Sequence, residues 1–91
     1  MISDVVLNKI SSILKDEGCE EVFLFGSHIT GRANEKSDID IGIKGLHPAK
    51  FFSAYARLDS ELDEKIDFVD FDEQLDFFNF LNSIGEIRKI G

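Results

Sequence analysis

A small mixed α/β (α+β) fold, one β-sheet with helices packed on it, is predicted by three features of this 91-residue chain. Ile2, Val6, Ile10 and Ile13 recur at helical spacing, and the run Val22-Phe23-Leu24-Phe25 has the composition of a buried strand. Two further stretches, Asp38 to Ile43 and Lys65 to Phe71, alternate charged with apolar residues at the period of two that a strand imposes. Elements mixed in this way pack as layers around a shared core.

The first helix is expected over roughly residues 4 to 17, with Asp4 placed to cap its start and Gly18 to stop it. Glu21 to Phe25 follows as a buried strand closed by Gly26. Ser27 to Arg32 reads as a short helix with Ser27 as its cap. In the strand from Asp38 to Ile43 the two aspartates fall on one face and the isoleucines on the other. Pro48 suits the first position of a further helix whose stripe is Phe51, Tyr55, Leu58 and Leu62. A third strand is expected over Lys65 to Phe71. The remainder, about Glu73 to Lys89, is expected to be helical through Gly85 because Leu75, Phe77, Phe78, Phe80, Leu81, Ile84 and Ile87 make it densely apolar.

Length and composition narrow the function classes. With 43% hydrophobic residues the chain has material for one core and not two, so a single domain over residues 1–91 is expected. The net charge of -8 and pI near 4.5 repel nucleic acid, which makes DNA or RNA a poor partner. Cys19 is the only cysteine, so no intramolecular disulfide forms. The start of the chain carries no secretory pattern and no apolar run is long enough to span a bilayer, so the cytoplasm is the expected compartment.

The chemistry is concentrated between residues 25 and 71. Gly26-Ser27 at the end of a buried strand lets backbone N–H groups approach a phosphate, with the Ser27 hydroxyl as a further donor. Asp38 and Asp40, two apart on a strand, point the same way and suit magnesium, which takes one or two carboxylates and completes its shell with water and substrate phosphates. Asp67, in a strand able to lie beside the first, adds a third acid. Three acids brought together repel, which raises at least one pKa when no cation is bound.

Gly26-Ser27, residues 28 to 37 with Gly31 and Ser37 among them, and then Asp38-Ile39-Asp40 together resemble the signature of the DNA polymerase beta-like nucleotidyltransferase superfamily. Size and acidity make the chain most similar to the minimal nucleotidyltransferase (MNT) branch, and the resemblance spans roughly residues 20 to 71. It implies that Asp38 and Asp40 bind metal, that Asp67 completes the site and helps activate the attacking group, and that Gly26 and Ser27 hold the phosphates. Asp67 is preferred to Asp70 for the third position because Ile66 and Phe68 flank it, although a register change would exchange the two. The implied cofactor is Mg2+, with two ions, and the implied substrate is ATP. AMP or another nucleotide would pass to a hydroxyl with release of pyrophosphate.

The resemblance also implies a partner, since a chain of this size has no acceptor-binding domain. In the family a helical HEPN protein often fills that place in a toxin-antitoxin pair, and some MNT antitoxins add nucleotide to the toxin's tyrosine. Two alternatives stay open: a non-enzymatic nucleotide-binding antitoxin or interaction module, and a small-molecule nucleotidyltransferase, of the antibiotic-modifying kind, with a separate substrate-binding subunit. Arg32 and Lys36 are read as solvated loop charges, and His28 and His47 have no ligand at zinc spacing. His28 stands where the family often has an aromatic or an arginine, so the contacts expected there are unassigned. Cys19 is read as a small buried residue. Phe51, Phe52, Phe77, Phe78 and Phe80 are read first as core, with some available for a subunit interface, including one between copies of the chain.

Overall fold

The computed structural model describes residues 2–34 and 37–91, so Lys36 lies outside the described residues. Helix α1 (Asp4–Asp16) is followed by strand β1 (Glu21–Phe25), short helix α2 (Ser27–Thr30), strand β2 (Ile39–Lys44), a 3-10 turn (Pro48–Lys50), helix α3 (Phe51–Glu61), strand β3 (Ile66–Asp70), helix α4 (Leu75–Ile84) and strand β4 (Ile87–Lys89). The strands form one sheet in the order β3-β2-β1-β4. β1 is antiparallel to both of its neighbours, whereas β2 and β3 run parallel, joined by the crossover through α3.

Alternation along the strands divides the interior in two. Val22, Leu24, Ile39, Ile41, Ile43 and Ile66 face the α1 and α3 layer and meet Leu7, Ile10, Leu14, Ala54 and Leu58 in the larger core. The opposite face carries Phe23 and Phe25, closed by Phe71 and by Phe78 and Leu81 of α4. Phe71 is completely buried, and it lies over Gly42, whose missing side chain gives the ring its place. Lys44 covers the outer side of Phe78, with its ammonium 3.8 Å from the ring centroid.

Several expectations need correction. Ser3, not Asp4, caps α1: its hydroxyl accepts from the Val6 N–H at 3.3 Å, leaving Asp4 in the first turn, where it faces the positive end of the helix. Ser27 is the first residue of α2 rather than its cap, because Gly26 occupies the cap position. That helix stops at Thr30, since Gly31 takes a left-handed conformation. Asp38 immediately precedes β2 instead of beginning it. Pro48 opens a 3-10 turn, capped by the His47 ring, rather than α3 itself. Within α3 the fully buried positions are Ala54 and Leu58, while Tyr55 is exposed and stacks on Phe68.

The largest difference is at the C-terminal end. Gly85 adopts φ +70 and ends α4 with a left-handed cap, after which Ile87–Lys89 pairs with β1 as an edge strand. A strand of three residues is too short to carry a period of its own. Among the described residues no helix is long and apolar enough to cross a membrane.

Candidate active site

Asp40 stands at the crossing point of the site. Its Cα partner on β1 is Phe25 and its partner on β3 is Asp67, so the parallel register places two carboxylates on adjacent strands and on one sheet face. Asp70 pairs with Ile43 instead and faces the other way. Its carboxylate accepts the Asp72 N–H at 2.9 Å, which makes it part of the turn leading to α4. Asp38 joins from the residue before β2, with Lys65 Nζ 4.0 Å from its Oδ2.

The glycine-serine turn lies directly against this pair. Gly26 has φ +76, a conformation that favours glycine, and a Cβ built on it would be 2.3 Å from Asp40 Oδ2. No side chain fits at residue 26 while Asp40 keeps its place. The Gly26 N–H donates to the Glu86 carbonyl at 3.3 Å, and the Glu86 carboxylate holds Arg32 at 3.2 Å. Arg32 Nε also donates to Thr30 Oγ1 at 3.0 Å. Arg32 is a solvated charge, as expected, and Glu86 and Thr30 hold it beside the turn. Glu86 is the residue that sequence reasoning missed, because only the pairing of β4 with β1 brings it there.

The electrostatics follow from the crowding. Burial pushes the Asp40 carboxyl up from its ordinary 3.8 to about 6, reinforced by the Asp67 charge, a hydrogen bond with Asp67 and the Asp38 charge. A proton is thus held more tightly in the folded chain than in the unfolded one. Asp40's contribution to stability is favourable in acid, and it declines as pH rises from near 3.8 through about 6. In metal-free buffer, Asp40→Asn is expected to be more stable than the parent at pH 8, with the gap narrower at pH 5 and closed only below the unfolded value of 3.8. Urea midpoints at the two values measure this; a gap independent of pH would show that Asp40 is not crowded.

Two cavities among the described residues lie around the turn. One of about 210 Å³ is lined by Ser27, His28, Gly31 and Ala33. The larger, about 320 Å³, is on the α1 side, where Ile2, Val6, His28, Ser37, Ile39 and Glu64 line it, and it includes none of the three acids. Both ring nitrogens of His28 are buried without a hydrogen-bond partner. Cys19 is buried, its Sγ donates to the Glu21 carbonyl at 3.1 Å, and burial pushes its thiol up, which makes it unreactive. Among the described residues no group of three or more His, Cys, Asp or Glu side chains is placed to hold a metal ion. Asp40 and Asp67 sit side by side across β2 and β3 with Asp38 two residues along, and carboxylate oxygens are the donors that magnesium takes one or two of.

Comparison with known proteins agrees with this arrangement. No protein of curated function matches the chain. Among solved structures, a chain of a toxin-antitoxin crystallised with AMP-PNP is 26% identical, with a TM-score of 0.72 over 93% of this chain and 72% of that one. A chain of the MntA-HepT toxin-antitoxin shares the fold at 22% identity and TM-score 0.68, over 98% of this chain and 72% of its own. The complex of tri-AMPylated Shewanella oneidensis HEPN toxin with MNT antitoxin shares it at 22% identity and TM-score 0.63, over 99% and 72%. The family model described as polymerase beta, nucleotidyltransferase matches residues 8–87, a span that takes in the glycine-serine turn and all three acids. This chain belongs to the polymerase beta nucleotidyltransferase family.

Proposed function

We propose that the chain transfers AMP from ATP to a hydroxyl on a helical HEPN-type protein and serves as the antitoxin of that pair. The observation that carries the reading is the contact of the Gly26 turn with Asp40, which is itself paired with Asp67. It supports a turn that binds phosphate beside Asp40, with Asp67 one strand further on. The 26% identical structure holds AMP-PNP, and the Shewanella oneidensis complex contains an AMPylated HEPN toxin, both of which favour this choice of nucleotide and partner.

Each residue has a role in this reading. Gly26, whose own N–H is held by the Glu86 carbonyl, allows the close approach, the Ser27 hydroxyl binds the triphosphate, and Arg32, braced by Glu86, adds positive charge at the same end. Asp38, Asp40 and Asp67 would hold Mg2+, which supplies charge neutralisation on the triphosphate when bound. The acceptor oxygen forms a bond to the α-phosphorus of ATP and the bond from that phosphorus to the bridging oxygen breaks, so pyrophosphate leaves. The acceptor's proton passes to the Asp67 carboxylate, which is exposed on the rim of the site where an acceptor arrives.

Magnesium or manganese is expected to raise the melting temperature of the wild-type chain, because a ligand that binds only the folded state stabilises it by mass action. The variant Asp38→Asn/Asp40→Asn/Asp67→Asn is expected to lose the response. Equal shifts in both proteins would remove the acids from the metal site. Transfer itself is tested with labelled ATP, magnesium and the HEPN-type protein from the native host. Label on a tyrosine of that protein is the expected result, and absence of both labelling and nucleotide binding would refute the reading.

A further inference from the structure

Helix α4 covers the phenylalanine face of the sheet with Phe78 and Leu81, yet Phe77, Phe80 and Ile84 follow one another along its side at i, i+3 and i+7. Phe80 is 56% exposed, Ile84 46% and Phe77 36%. Phe80 and Ile84, with the outer edge of Phe77, whose inner side packs on Phe25 and Phe71, form an apolar stripe along a short helix. The stripe is continuous with the catalytic end. The Phe77 ring is 5.6 Å from that of Phe25, Phe25 pairs with Asp40, and Gly26 follows it.

The stretch of chain that carries the stripe is acidic. Between residues 66 and 87 the chain carries Asp67, Asp70, Asp72, Glu73, Asp76 and Glu86 and neither lysine nor arginine. Cations on this side of the sheet are already engaged: Arg32 by Glu86, Lys44 laid on Phe78, and Lys89, the partner of Phe23, by Glu21 at 3.6 Å. Glu73 and Asp76, at the start of the helix, have no cationic partner among the described residues. An acidic rim repels a second copy of this chain, whose net charge is -8, and equally an anionic membrane. It attracts an apolar protein surface edged with lysine and arginine.

We propose that the Phe77-Phe80-Ile84 stripe is the docking strip for the acceptor protein, which meets it with a basic-rimmed apolar surface and so brings its hydroxyl alongside Asp67. The proposal rests on the nucleotidyl-transfer reading of the site and assigns the surface that selects the acceptor.

The test uses the full chain and two synthetic amphipathic helical peptides with the same leucine face, one flanked by lysine and arginine and the other by glutamate. Affinities are measured by fluorescence anisotropy at low salt for the wild type and for Phe80→Ser/Ile84→Ser, whose side chains are exposed and whose melting temperature is checked. The basic peptide is expected to bind the wild type at least tenfold more tightly than the acidic one, and to bind the variant at least tenfold more weakly. ATP binding is expected to be the same in both proteins. Absent peptide binding, equal binding of the two peptides, or unchanged binding to the variant, each with ATP binding intact, would overturn the docking strip and leave the reading of the site standing. Self-association of the wild type that the substitutions abolish would assign the strip to a second copy and overturn the proposal. Failure of the wild type to bind ATP would instead refute the reading of the site.

Discussion

Asp67→Asn is expected to lower nucleotidyl transfer by roughly a hundredfold or more while ATP and magnesium still bind, since general-base and metal-orienting contributions are of that size. Asp67 is the Cα partner of Asp40 and shares its sheet face, but it is exposed, and the side chain nearest a Cβ at Gly26 is that of Asp40. In the proposed reaction its loss removes the acceptor for the incoming hydroxyl's proton and leaves the Gly26-Ser27 turn in place. Asp70→Asn is the matched control. Its carboxylate belongs to a turn on the other side of the strand, so transfer is expected to be unchanged apart from a small loss of stability. Single-turnover rates at saturating ATP separate the two variants. A slow Asp70→Asn beside a normal Asp67→Asn would mean that β2 and β3 pair in another register.

The second large effect is on stability. A Cβ at Gly42 would lie 1.9 Å from Cε2 of Phe71 and 2.3 Å from its Cζ, far inside van der Waals contact. The ring cannot withdraw, because Phe23, Phe25, Phe77 and Phe78 surround it with centroids 5.2 to 6.1 Å away. Gly42→Ala is therefore expected to cost about 3 kcal/mol, the upper part of the range for overpacking a core. For a domain of this size that lowers the melting temperature by roughly 12 °C or more. Adding Phe71→Leu to Gly42→Ala frees space, so the double variant is expected to be less unstable than the two separate losses sum to. Strict additivity, or a single variant that melts within a degree or two of the wild type, would place Phe71 away from Gly42.

Features set by neighbouring residues are legible in the sequence alone. The spacing of Ile10 and Ile13, the run ending at Phe25, and the alternation through Ile39, Ile41 and Ile43 each report a period or a solid apolar block within a few residues. The glycine-serine turn and the common face of Asp38 and Asp40 follow from the same local rules. Those rules mislead where two local signals compete. Ser3 and Asp4 can both cap a helix, and the choice falls to Ser3, whose hydroxyl reaches the Val6 N–H. Gly85 is a recognised helix stop, yet the apolar density up to Ile87 suggests a helix running through it.

Turn chemistry and periodicity are written into short stretches of backbone and side chain, so the order of elements, the Gly26-Ser27 turn and the carboxylate pair at 38 and 40 can be read from residues in a row. Pairing joins residues far apart in the chain and depends on which faces bury together, which no local pattern encodes. The choice of Asp67 over Asp70 required the register of β2 against β3. The bracing of Gly26 and Arg32 by Glu86 required β4 to return beside β1. The elevated proton affinity of Asp40 required burial and a second acid from a strand twenty-seven residues away, and both appear only when the sheet closes.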